Sequence, residues 1–205
     1  MASKGTKTLT ALECYKGLNG GQKTYDLAPG ITLDILYQKY YEQDAKGNEN
    51  EYSVCFMINQ GDNHYLLTGD LEEKGEESLI QENTLPNVQL FKANHHGSYT
   101  ANTTEFLNVI KPEIVAVTCV AGSDEYTKNK DNMFPSQNFI NNIAPITDKI
   151  YVTSQDDGNG GYKPLNGTIT FTCLKGTDYE VNCSNNNTIL KESDWFKANR
   201  TWPTV

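Results

Sequence analysis

Asp70, closing the run Leu66-Leu67-Thr68-Gly69-Asp70, and the pair in His95-His96-Gly97-Ser98 are the residues whose types and spacing could do chemistry. Carboxylate oxygens and imidazole nitrogens are hard and borderline ligands for a divalent cation. Together they can also move protons to and from a bound water. Each group follows a strand-like run. Cys55-Phe56-Met57-Ile58 and Tyr65-Leu66-Leu67 precede the carboxylate, and Val88-Gln89-Leu90-Phe91-Lys92 precedes the imidazoles. A helix between two parallel strands makes a crossover that sets their C-terminal ends side by side. Asp70 and at least one of His95 and His96 are therefore expected on one sheet edge, close enough to share a small ion or a water.

Each signal has a plainer counterpart. Thr68-Gly69-Asp70 alone would serve as a turn whose aspartate caps the following helix. His95 and His96 on an extended segment would point to opposite sides, one toward a site and one held by local bonds. Gly97 allows close backbone approach, and Ser98 could cap the next helix or donate to a phosphate. His64 is expected in a solvated turn. Lys92, Lys128 and Lys130 are the basic residues expected near the site, and Asp124 and Glu125 lie on a loop at the same edge. Asp156-Asp157-Gly158-Asn159-Gly160 lacks the acid spacing and terminal glutamate of a calcium loop and is expected to be a surface turn.

The elements that must position these groups follow from apolar periodicity and turn residues. Strands are expected over 12–15, 24–27, 31–37, 52–59, 64–68, 114–120 and 149–153, with a last hairpin over 168–174 and 179–183 turning at 175–178. Helices are expected over 72–83, 103–110 and 137–143, and the tail around Asp194-Trp195-Phe196 is expected to dock as a cap. This order predicts an α/β (α+β) fold, a mixed sheet with helices packed on one face. Residues 1–205 form a single domain in this reading.

Bulk properties exclude several classes. The chain has 205 residues, 37% hydrophobic and 21% charged, ordinary for a soluble globular domain. No apolar run approaches the roughly 18 residues that span a bilayer, and Met1-Ala2-Ser3-Lys4 opens no signal peptide. A net charge of −9 disfavours a nucleic-acid binder that uses its whole surface. Five dispersed cysteines, without Cys-x-x-Cys spacing, are expected to be reduced, which favours a cytoplasmic setting. Cys55 and Cys119 are expected to be buried. Cys173 and Cys183 could face each other across the last hairpin.

Leu-Leu-Thr-Gly-Asp at 66–70 followed by His-His-Gly-Ser at 95–98 resembles the C-terminal half of a metallo-β-lactamase-fold hydrolase. The resemblance is to the hydrolase domain of bacterial competence (DNA-uptake) proteins, and it is best between about Tyr52 and Ile143. It implies the C-terminal half of an αββα sandwich, with Asp70 as a metal ligand and His95 or His96 acting at the leaving oxygen of a phosphodiester. Two departures stand out. The family's His-x-His-x-Asp-His ligand loop is absent, since the chain has only three histidines. Phe134, in Asn132-Met133-Phe134-Pro135-Ser136, stands where a further ligand histidine is expected.

The resemblance thus implies a portion inactive by itself. It carries no cofactor alone, and binds zinc or manganese only if the missing N-terminal half supplies ligands. It also implies a sheet face left open, to be covered by that half or by self-association. Nucleic acid would be a substrate only of the complete protein. The alternative is a non-catalytic binding or assembly module with a degraded site.

Overall fold

A computed structural model describes residues 5–174 and 178–204. Eight strands form one sheet in strictly sequential order. β1 (Thr24–Ala28), β2 (Ile31–Ile35), β3 (Phe56–Gln60) and β4 (Asn63–Leu67) are antiparallel neighbours. β5 (Leu90–Lys92), β6 (Ile114–Ala121) and β7 (Ile150–Asp156) continue parallel to β4, and β8 (Tyr162–Pro164) closes the far edge antiparallel. A separate hairpin, β9 (Ile169–Leu174) and β10 (Asp178–Cys183), forms a second sheet. The fold is therefore mixed α/β, as expected. Of the hairpin turn expected at 175–178, residues 175–177 lie outside the described residues, and Asp178 begins β10.

Register assigns the two sheet faces. Met57, Leu66, Phe91, Val115 and Ile150 are successive partners across five strands, so they share one face. That face is the core. Helices α2 (Glu73–Glu82), α3 (Thr104–Ile110) and α4 (Gln137–Ile143) contribute Leu79, Phe106, Leu107, Ile110, Phe139, Ile140 and Ile143 to the same buried cluster. Each fully buried large side chain adds about 1.5–3 kcal/mol of transfer free energy. Thr103 and Ser136 cap α3 and α4 by accepting from Phe106 and Phe139 N–H.

On the opposite face run Ile58, Tyr65 and Leu90, and beside them Phe56, Leu67, Lys92, Ala116 and Tyr151, all only partly buried. The β9–β10 hairpin covers part of this face. Phe171 sits 5.3 Å from Tyr65 and stacks on Tyr179. Leu33 and Phe56 are partly exposed, and Val54, just before β3, is 48% exposed.

Several local expectations are corrected. Residues 12–15 belong to helix α1 (Ala11–Lys16), not a strand. Thr10 and Glu13 form a reciprocal capping box, and Gly17 ends the helix at φ 67. The strand expected from Tyr52 begins at Phe56, because 49–52 is wound into a 3-10 turn. His64 lies on β4, half-buried, with Nδ1 2.8 Å from Asn59 Oδ1, and burial pushes its imidazole below the ordinary value. Cys55 is buried, but Cys119 is only partly so. Cys173 pairs in register with Tyr179 and Cys183 with Ile169, and both thiols are free. Asp157 accepts from Asn159 and Gly161 N–H in a surface turn, as expected.

The tail docks through α5 (Asp194–Asn199), with Trp195 and Phe196 buried. Arg200 is 9% exposed, and among the described residues it forms no ion pair with a carboxylate. It donates instead to the carbonyls of Met133, Pro135 and Asn199, so the C-terminus clamps the segment that carries Phe134. Among the described residues no helix is long and apolar enough to cross a membrane.

Candidate functional site

Strands β4 and β5 are parallel neighbours joined by α2, so Asp70 and His95–His96 leave the sheet at the same edge. A buried polar network holds the two exits together. Glu76, on α2 and fully buried, accepts from Asn94 Nδ2 (2.7 Å), Asn102 N–H, Thr103 N–H (2.8 Å) and Thr103 Oγ1 (2.8 Å). Asn94 and Asn102 bond each other twice through backbone and side chain, and Thr68 Oγ1 donates to Asn94 Oδ1. Burial pushes the Glu76 carboxyl above the usual carboxylate range, while these donors pull it back.

This network shapes the turn that bears the imidazoles. His95, His96 and Gly97 all lie in the left-handed region, at φ 43, 58 and 74. The expected extended segment with opposed side chains is therefore wrong. A left-handed turn sets both rings on one side, each 5.6 Å from the Phe134 ring and 6.1 Å from each other. Gly97 is required on two grounds, its φ and its crowding, since a Cβ there would come within 3.0 Å of Pro135 Cβ. Ser98 is buried against Thr100 Oγ1 (2.9 Å), and Thr103 caps α3 in its place.

Asp70 and His96 are brought together as expected, with His96 Nε2 3.5 Å from Asp70 Oδ2. Lys92 completes the group. Its Nζ lies 3.2 Å from Asp70 Oδ1 and donates to Gly69 O at 2.8 Å. His96 Nδ1 faces the Thr118 carbonyl. His95 is turned away from Asp70 toward Glu72, its Nδ1 2.8 Å from Glu72 Oε1. Burial pushes the Glu72 carboxyl up, but hydrogen bonds from Asn48, Thr100 and Asn50 and the nearby His95 outweigh it and hold it below the usual range.

Catalytic zinc needs about three protein ligands and an open position. Among the described residues no group of three or more His, Cys, Asp or Glu side chains converges on a point. Asp70 is already engaged by an ammonium and an imidazole, so these residues by themselves do not fit a divalent metal. What they form is a carboxylate, an ammonium and two imidazoles at the rim of a sheet. Lys128 and Asp124 pair with each other on the exposed neighbouring loop, and Tyr126 there lies 5.6 Å from Phe134. Glu72, Glu76, Asn94, Asn102 and the Thr118 carbonyl were not foreseen as parts of the site. The side-chain groups among them carry no motif, and no sequence signal set them apart.

No family model matches the chain. Three curated relatives do. ComE operon protein 3 of Bacillus subtilis is 28% identical over 133 residues, covering 64% of this chain and 16% of that protein. Recombination protein 2 of Haemophilus influenzae is 31% identical over 69 residues, 34% of this chain and 8% of that protein. Competence protein ComA of Neisseria gonorrhoeae is 38% identical over 69 residues, 32% and 10% respectively. One of the three is named a competence protein, and this chain is similar to all three over part of its length. The matches span between 8% and 16% of the relatives' lengths.

Proposed function

We propose that this chain is the C-terminal α/β layer of a competence-related, metal-dependent phosphodiester hydrolase of the metallo-β-lactamase type, silent by itself. The observation that carries the reading is the meeting of Asp70 and His96 at 3.5 Å, at the ends of adjacent parallel strands. Similarity to the three relatives, each many times longer than its match, supports it. In this reading Asp70 is one ligand of a zinc or manganese ion whose other ligands come from an N-terminal half. His95 and His96 serve the leaving oxygen, and Lys92 supplies local positive charge in a chain of net charge −9. The same half, or a second copy, covers the partly exposed face that bears Phe56, Ile58 and Leu67. Nucleic acid is the substrate class of the complete protein.

The test is turnover by the purified chain. With DNA, nucleotides or a bis-nitrophenyl phosphodiester, and with Mn²⁺ or Zn²⁺ added, no hydrolysis above background is expected. Turnover that disappears in Asp70→Ala would refute silence. A second reading, a non-catalytic binding or assembly module, is favoured by Phe134 lying against both imidazoles and by the Lys92–Asp70 pair. One tightly bound equivalent of zinc or manganese on the purified chain would argue against that module.

A further inference from the structure

We propose that Glu72 is a positioning residue for His95, fixing this imidazole in the tautomer with its proton on Nδ1. Glu72 stands at the N-cap of α2, yet makes no side-chain cap bond there. Its carboxylate turns outward instead. Oε1 receives Thr100 Oγ1 at 2.8 Å and Asn50 Nδ2 at 3.2 Å, and Oε2 receives Asn48 Nδ2 at 2.7 Å. An amide N–H can only donate, and with these donors in place the carboxylate acts as acceptor throughout. The ring nitrogen 2.8 Å from Oε1 must then be the one that carries hydrogen. Glu72 is 14% exposed, so little water competes for that oxygen.

His96 differs. Its Nδ1 faces the Thr118 carbonyl and its Nε2 the Asp70 carboxylate, and both partners accept, so its contacts select neither tautomer. The His95 ring alone is set to present Nε2 with a lone pair. When it takes a proton at Nε2 it becomes an imidazolium whose Nδ1–H stays on Glu72. When that proton leaves, with the N–H electron pair returning to Nε2, the starting tautomer is restored. Proton traffic through Nε2 thus needs no rearrangement of the ring. Only the use of that proton in hydrolysis rests on the reading above; the tautomer rests on the hydrogen bonds alone.

The experiment is long-range ¹H–¹⁵N correlation on the full chain at about pH 8, where imidazoles of ordinary acidity are neutral. Three histidines make assignment direct. His95 is expected with hydrogen on Nδ1. In Glu72→Leu, His95 is expected to lose the Nδ1–H form as its major state while the His96 ring signals stay as in the wild type. Glu72→Gln retains an acceptor oxygen and is expected to rescue His95. Hydrogen on Nε2 of wild-type His95 would overturn the proposal, whether or not Glu72→Leu folds. So would a folded Glu72→Leu in which His95 is unchanged. Failure of the hydrolase reading would leave these spectra as they are.

Discussion

Glu76→Ala is expected to lower the unfolding free energy by about 4 kcal/mol or more, as read by urea denaturation. Removing the carboxylate strands the side-chain amide of Asn94, the N–H groups of Asn102 and Thr103, and the Thr103 hydroxyl. Asn94 and Asn102 are fully buried, so water cannot replace the lost acceptor without opening the loop. A buried donor left unpaired costs about 1–3 kcal/mol, and breaking a buried charged network costs about 3–5. Thr103 is only partly buried and recovers some of its loss through water, which sets the lower bound. The damage should be local as well as global. Asn94 immediately precedes His95, so the left-handed turn should loosen and the rings lose their common orientation. A loss below about 1 kcal/mol would show that the network is not what holds the two strand exits together.

Gly75→Ala is expected to destabilise, against the sign that helix propensity gives. In a helix interior this exchange normally adds about 1 kcal/mol. Here an added Cβ would collide with the Leu71 side chain, which is fully buried, and with the Glu51 carboxylate, which is 3% exposed. Glu51 is hemmed in by the N–H groups of Gly75, Glu72 and Lys74 at the start of α2, and burial pushes its carboxyl above the usual range. Leu71 is enclosed in the core cluster and cannot give way without disturbing it. Overpacking of this kind costs about 1–3 kcal/mol, and the upper part of that range is expected because a charged group must also shift. In a domain of this size that corresponds to a fall in Tm of roughly 5–10 °C. A rise in Tm would mean that α2 can slide away from Leu71, and that the Asp70 turn just before Leu71 is not rigidly placed.

Both effects arise from contacts that a linear pattern does not display. The apolar runs at 114–120 and 64–68 and the helical faces at 103–110 and 137–143 lie close to where the structure has them, because each buries a single face and its period shows. The crossover between β4 and β5 followed from their spacing, and with it the meeting of Asp70 and His96. The errors lie where hydrogen bonding overrides period. Leu12–Tyr15 alternates like a strand, but the Thr10–Glu13 capping box winds it into α1. His95 and His96 follow a strand, but the bonds from Asn94 and Asn102 and the close contact with Pro135 turn the chain left-handed. Glu72 gave no signal because one acid among Glu72, Glu73, Glu76 and Glu77 cannot be told from a solvated helix face. Only three-dimensional placement shows that two of the four are built into the site.

The central claim is that Asp70, His95 and His96 belong to a site completed by residues outside this chain. The most direct measurement is Mn²⁺- or Zn²⁺-dependent phosphodiester turnover by a longer polypeptide, joining this chain to the residues encoded upstream of Met1, beside its Asp70→Ala form. The account predicts turnover by the longer polypeptide, absent from the chain alone and abolished by Asp70→Ala. An upstream region that encodes no His-rich ligand loop, or turnover indifferent to Asp70, would contradict it.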